Sequence, residues 1–235
     1  MTRSVLAGVL AVSTTACVVV STDPGPTRTR TEEVAIGAAN EVRVDVEMGS
    51  GELSIEGGAG KKLVETTFRY SEGLGGPEVH YDVARSQGRL TIESPKSVFN
   101  SGHTTNEWKL RFGNAAPLDF DIQVGAGQST VDLSGLPVRR VEIQMGAGRL
   151  NLNLAGHYTS DVYVTVQGGV GQALISLPSD VGAIADVLGG IGSIQTAGMR
   201  RRGGFYVNRA FEEDKPAIRL KVRGGIGEIR FSVTE

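Results

Sequence analysis

The chain has 235 residues, 40% hydrophobic and 21% charged, with 24 basic and 26 acidic side chains and a net charge of -2. That length buries a substantial core, in one large β domain or two small ones. The composition excludes a disordered chain and a polytopic membrane protein, and the charge balance gives no overall attraction to nucleic acid or anionic membrane. Cys17 is the sole cysteine, so an internal disulfide and a cysteine-based zinc site are excluded.

Residues 1–16 read as an export signal. Arg3 supplies a positive start, and Ser4 to Ser13 is an apolar run shorter than the ~20 residues a membrane span needs. It ends in Thr14-Thr15-Ala16-Cys17. A small residue directly before the first cysteine resembles a bacterial lipobox, which makes Cys17 a lipid anchor to the membrane. Thr14 stands where that motif carries Leu, Val or Ile. Cleavage at another small residue, or an uncleaved anchor prolonged by Val18-Val19-Val20, are the alternatives. Residues 17–32, with Pro24 and Pro26, read as a Pro/Thr-rich linker that holds a domain off the membrane. Residues 33–235 are expected to form a single β domain with insertions near 96–107 and 199–216.

Within that domain Val42, Val44 and Val46 alternate with Arg43, Asp45 and Glu47, which predicts a strand with one apolar face. Leu53 and Ile55 resume the alternation beyond Gly49-Ser50-Gly51. Further strands are expected over 63–70, 78–84 and 88–93, followed by a polar loop over 96–107. Trp108, Leu110 and Phe112 then alternate. This pattern makes Trp108 a core residue in preference to a sugar-stacking platform.

A short phrase recurs: Met48-Gly-Ser-Gly51, Val124-Gly-Ala-Gly127, Met145-Gly-Ala-Gly148, Gly168-Gly-Val-Gly171, Gly189-Gly-Ile-Gly192 and Gly224-Gly-Ile-Gly227. The last five copies begin their glycines at 125, 146, 168, 189 and 224, so the intervals are 21, 22, 21 and 35. The long interval holds Met199 to Gly204 and Asn208 to Pro216, read as a loop or hairpin insertion. A period of this size fits two strands and two corners per unit, with 150–154 pairing with 161–166. Glycine is expected at each corner: Gly49 and Gly51, Gly125 and Gly127, Gly146 and Gly148, Gly169 and Gly171, Gly190 and Gly192, Gly225 and Gly227. There a Cβ would clash or φ must be positive. The prediction is an all-β, solenoid-like stack in which no unit buries its apolar face alone.

No motif carries recognisable chemistry. Gly-x-Gly followed by a strand-like run lacks the helix that a dinucleotide site needs. Calcium-binding nonapeptides need an aspartate two places after the last glycine, where this chain has Ala173, Ile194 and Ile229. Asp119 and Asp121 read as a solvated strand face in preference to a glycosidase pair. His80, His103 and His157 are in no ligand spacing. No cofactor and no small-molecule substrate are indicated. Arg200, Arg201 and Arg202 form the densest basic cluster, read as an exposed loop ahead of an anion-binding patch.

Several phrases together carry a resemblance: Asn106-Glu-Trp-Lys-Leu, Ala116-Pro-Leu-Asp-Phe-Asp-Ile, Val124-Gly-Ala-Gly-Gln-Ser-Thr-Val-Asp-Leu-Ser-Gly-Leu and Val141-Glu-Ile-Gln-Met-Gly-Ala-Gly. They resemble the bacterial toastrack domains, including those of LiaF-like cell-wall-active antibiotic response proteins. The resemblance covers roughly residues 35–235. It implies a β-solenoid-like stack used as an interaction or sensory module at the cell envelope, with no catalytic residues to carry over. The chain lacks the multi-helix membrane segment of LiaF-like proteins. The expectation is a non-enzymatic, extracytoplasmic lipoprotein acting in protein interaction, assembly or envelope-stress sensing. A carbohydrate- or peptidoglycan-binding module is the alternative. A protein partner or self-association through strand edges is expected, with the C-terminal copy, Ile226 to Val233, as the open edge.

Overall fold

The computed structural model describes residues 25–95 and 104–234. Cys17, the export signal, the first half of the linker and His103 lie outside the described residues. The strands are β1 (Thr27–Ala35), β2 (Glu41–Gly57), β3 (Lys62–Ser71), β4 (Glu78–Ala84), β5 (Gln87–Glu93), β6 (Asn106–Phe112), β7 (Leu118–Asp132), β8 (Val138–Asn153), β9 (Val162–Pro178), β10 (Gly182–Leu188), β11 (Ile191–Thr196), β12 (Met199–Arg202), β13 (Phe205–Asn208) and β14 (Ala217–Thr234). Among the described residues they form one mixed sheet of 14 strands, and the only helical turn is a short 3-10 segment at Glu72–Leu74.

The frame is five long strands of 15 to 18 residues, β2, β7, β8, β9 and β14, each parallel to the next. The glycine phrase sits in the middle of each. It ends no strand; it reverses the alternation. In β2 the buried residues are Val42, Val44, Val46 and Met48 before the phrase, but Leu53 and Ile55 after it. In β7 they are Leu118, Phe120, Ile122 and Val124, then Ser129 and Val131. Strand side chains alternate with a period of two. Without that slip of one residue, the apolar set of the second half would face solvent.

Each long strand therefore belongs to two limbs of the sheet. The first half of β2 pairs with β5, and its second half with β6. At the other end, the first half of β14 pairs with β10 and its second half with β11. Both limbs turn their apolar faces to one core, which draws Val44, Ile122 and Val141 from the first and Ile55, Leu152 and Phe231 from the second. Trp108 is fully buried there, edge-on to Phe68 at 5.6 Å, with its indole N–H donating to Asn106 Oδ1. The core location of Trp108 keeps its ring out of reach of a sugar.

Four sequence expectations change. Residues 150–154 do not pair with 161–166; they pair with 129–133 on one side and 173–176 on the other, because the two halves of a repeat occupy different limbs. Thr27 to Glu32, read as linker, are strand β1 paired antiparallel with β3, since alternate Thr and charged side chains suit a half-exposed edge. Asn106 and Glu107, read as loop, open β6. The C-terminal copy is no edge: β14 lies between β9 and β10–β11, so the fifth copy of the phrase stacks outside the sixth.

The long interval between those copies is what lets them change places. It folds as the hairpin β12–β13, whose second strand pairs antiparallel with β10. Asn208 fastens it. Its buried amide donates to the carbonyls of Pro178 and Val181, and its Oδ1 accepts from the Ala183 N–H at 2.9 Å. A small second cluster of Val207, Phe211 and Ala217 packs beneath.

A candidate interaction surface

The two glycines of each phrase form two ladders running through the stack. The second glycine always has φ between +131° and +147°. A Cβ on Gly148 would lie 1.8 Å from the Gly127 carbonyl oxygen, and one on Gly171 would meet Gly148 in the same way. The first glycines behave alike, Gly146 against Gly125 and Gly169 against Gly146. Each strand can approach its neighbour only because no Cβ intervenes.

The ladder is closed at one end. Over Gly51 stands the Asn106 carbonyl, where another ladder glycine would otherwise be, and the Asn106 amide donates to the Ser50 carbonyl at 2.6 Å. At the other end Gly190 and Gly192 stack on Gly225 and Gly227, and among the described residues β11 pairs only with β14.

The apolar positions of the phrase also change along the stack. In β2 and β8 the residue before the glycines is Met48 or Met145, and the core residue two places beyond them is Leu53 or Leu150; all are buried. In β9 these places hold Gly168 and Ala173, and a Cβ on Gly168 would meet nothing within 4 Å. The result is a cavity of about 90 Å3 beneath the bend, floored by Gly168 and Gly224 and bounded by Met145, Val166 and Ile229. The apolar group has moved to the middle of the phrase. Val170, Ile226 and Ile191 replace Ser50, Ala126 and Ala147, line the same cavity, and are 54%, 53% and 73% exposed. They are register partners on three adjacent strands.

Eight large apolar side chains are exposed among the described residues, and five of them, Val170, Leu188, Ile191, Ile194 and Ile226, belong to this corner. Elsewhere the outer faces carry ion pairs. Asp121 meets Arg43, Asp119 meets Arg139, and Asp45 bridges Arg43 and Arg89. Arg202 meets Glu213, while Arg200 and Arg201 are exposed on β12.

The four carboxylates displaced from their ordinary values, Glu41, Glu65, Asp161 and Asp186, all move down. For Asp161 the main cause is the Arg219 guanidinium, then the Ala217 amide; for Asp186 it is Arg223. A carboxyl serving as general acid at neutral pH needs the opposite shift. The Tyr158 phenol, pushed up to about 12 by burial and by nearby Asp132, stays protonated. Among the described residues no three His, Cys, Asp or Glu side chains gather as metal ligands, and no helix is long and apolar enough to cross a membrane.

The family model described as the N-terminal domain of toast_rack, DUF2154, matches residues 23–176. The chain belongs to the toast-rack family. No curated protein matches it. The crystal structure of "a putative cell adhesion protein" from Clostridium sporogenes superposes with a TM-score of 0.82 at 27% identity, over 89% of this chain and 100% of that one. "A putative adhesin" from Bacteroides fragilis gives 0.31 at 14% identity, over 88% and 97%. A "putative lipid binding protein" from Parabacteroides distasonis gives 0.29 at 15%, over 89% and 96%. The toast-rack match reaches from before β1 to near the end of β9, so of the strands that line the cavity β8 and β9 lie within it and β11 and β14 beyond it.

The structure brings the phrase glycines of all six copies together and leaves the candidate carboxylates Asp119 and Asp121 in separate ion pairs. Sequence reasoning missed the apolar corner. Its signal was present: the order apolar-Gly-small-Gly in the first three copies becomes Gly-Gly-apolar-Gly in the last three.

Proposed function

We propose that this chain is a non-enzymatic protein-interaction module of the bacterial cell envelope, held at an extracytoplasmic membrane face by a lipidated Cys17. One observation carries the reading. Five of the eight exposed large apolar side chains among the described residues gather at the corner beside the unpaired edge of β11, while the outer faces carry ion pairs. Apolar surface gathered in one patch marks an interaction site. The adhesion description of the Clostridium sporogenes protein supports the same surface-exposed role. An assembly or envelope-stress role is a finer form of this proposal.

Two measurements test it. Fractionation should move the Cys17→Ser chain out of the membrane pellet, and mass spectrometry of the wild type should find acylated Cys17 at the N-terminus. Crosslinked capture from native membranes should give a discrete adduct through β11. A wild-type chain found in the cytosol, with no adduct, ends the proposal.

A second reading, a carbohydrate- or peptidoglycan-binding module, has one supporting feature. A groove of about 710 Å3 runs along the first glycines, and Gln123, Gln144 and Gln167 wall it in register on β7, β8 and β9. Their amides repeat at the ~4.8 Å strand spacing and suit a hydroxyl-rich polymer laid across the strands. Loss of glycan-array binding on Gln144→Leu would favour this reading, and a blank array with the wild type would remove it.

A further inference from the structure

The chain has four strands with a free side among the described residues: β1, β4, β11 and β12. Three carry charge along that edge. β1 has Arg28, Arg30, Glu32 and Glu33; β4 has Glu78 and Asp82; β12 has Arg200, Arg201 and Arg202. Charged side chains are how proteins keep an edge strand from pairing. β11, Ile191-Gly-Ser-Ile-Gln-Thr196, carries none. It is also the edge at which the ladder has no cap and beside which the cavity opens.

We infer, resting on the interaction-module reading, that β11 is the pairing edge of a homodimer. A second copy lays its own β11 antiparallel on the first about a two-fold axis, and rim isoleucines of each copy seat in the cavity of the other. Three features select a second copy as the occupant. A neutral strand paired with itself sets no like charges opposite one another. A two-fold interface uses the same patch on both sides, so the patch must hold both knob and hole. Here the knobs, Ile191 and Ile226, rim the hole over Gly168, whose 90 Å3 is close to the size of one aliphatic side chain and far below the 300–1,000 Å3 usual for small-molecule pockets. Among the described residues no other edge offers an uncharged strand to pair with it. A parallel partner would also need glycine opposite Gly192, because a Cβ stacked on a ladder glycine meets its carbonyl oxygen.

The repeat itself supplies the discriminating variant. Gly168→Met places in β9 the side chain that Met48 and Met145 already supply in β2 and β8, at a position with open space and no positive φ. Filling an apolar void stabilises the fold, and here it removes the receptacle for the second copy. The experiment places a photo-crosslinking amino acid at position 191 of the full chain, in membranes of the producing cells, with position 83 on β4 as the control edge. The expected result is an adduct of twice the chain mass from 191 and none from 83. Gly168→Met should lower the 191 adduct by about tenfold while raising the melting temperature, since each ~1.4 kcal/mol lost from association is tenfold in the constant. Ile226→Glu should lower it with no gain in stability. A 191 adduct that forms equally in Gly168→Met, or a doubled mass from 83 as well, overturns the homodimer. A 191 adduct with a different protein also overturns it and leaves the interaction-module reading standing. No adduct of any kind from 191 sinks both.

Discussion

Consider a single methyl group added at Gly171. This residue has φ +140° and lies mid-stack, with Gly148 on one side and Gly227 on the other. The new Cβ would lie 1.8 Å from the Gly148 carbonyl oxygen, 2.8 Å from its carbon and 3.0 Å from its nitrogen. Every atom it meets is backbone of a paired strand, so relief requires β8 and β9 to part. The backbone conformation alone costs an L residue ~1–3 kcal/mol, and the opened ladder adds to that. A loss of ~3 kcal/mol is a large part of a usual stability of ~5–15 kcal/mol. At ~2–4 °C per kcal/mol for a chain of this size, Gly171→Ala should melt about 6–12 °C below wild type, and Gly171→Val lower still. Gly168→Ala is the internal control. It lies three residues away in the same phrase, with nothing within 4 Å of its Cβ and no positive φ, and should melt at or above the wild-type temperature. Thermal unfolding followed by circular dichroism reads both. Equal melting temperatures for the two variants would refute the close-approach ladder.

Three further outcomes follow from other parts of the fold. Asn208→Leu strands the carbonyls of Pro178 and Val181 and the N–H of Ala183; a loss of ~1–3 kcal/mol per orphaned buried group should appear as a lower denaturation midpoint and faster hydrogen exchange in β12 and β13. The sole tryptophan, Trp108, should emit at short wavelength and ignore added saccharides; a red-shifted band would contradict its burial. Asp161 and Asp186, held below the usual carboxylate range by Arg219 and Arg223, contribute stability that is present above pH ~4 and lost as pH falls through their folded values. Asp161→Asn should flatten part of that acid limb, and identical pH–stability curves for variant and wild type would remove Asp161 from it.

Much of the local architecture was legible because it depends on neighbouring residues. Val42, Val44 and Val46 declare a half-buried strand by period two, and the slip from Met48 to Leu53 across Gly49 and Gly51 marks the bend. The glycine pair must recur where backbones touch, so the intervals of 21 and 22 residues reveal the stack. The composition of Met199 to Pro216 left loop and hairpin both open, because four-residue strands such as β12 and β13 offer too few alternations to decide between them. Asn208 looked like one more polar loop residue. Its role rests on three backbone groups between 178 and 183, which no local pattern connects to it.

The sequence by itself determined that this is an all-β repeat, where its glycines lie and which side chains face inward. Those properties follow from backbone sterics and side-chain alternation within a few residues. Only the tertiary structure decided the order of the stack. All six copies carry the same two glycines, so any copy fits beside any other, and register alone cannot rank them. The 35-residue interval gave β14 the reach to enter between β9 and β11. That insertion put the uncharged β11 at the edge and gathered Val170, Ile226 and Ile191, from positions 21 to 56 residues apart, around one cavity. An interaction surface made of three strands exists only once their order is set, because its apolar area is the sum of side chains that the chain itself keeps apart.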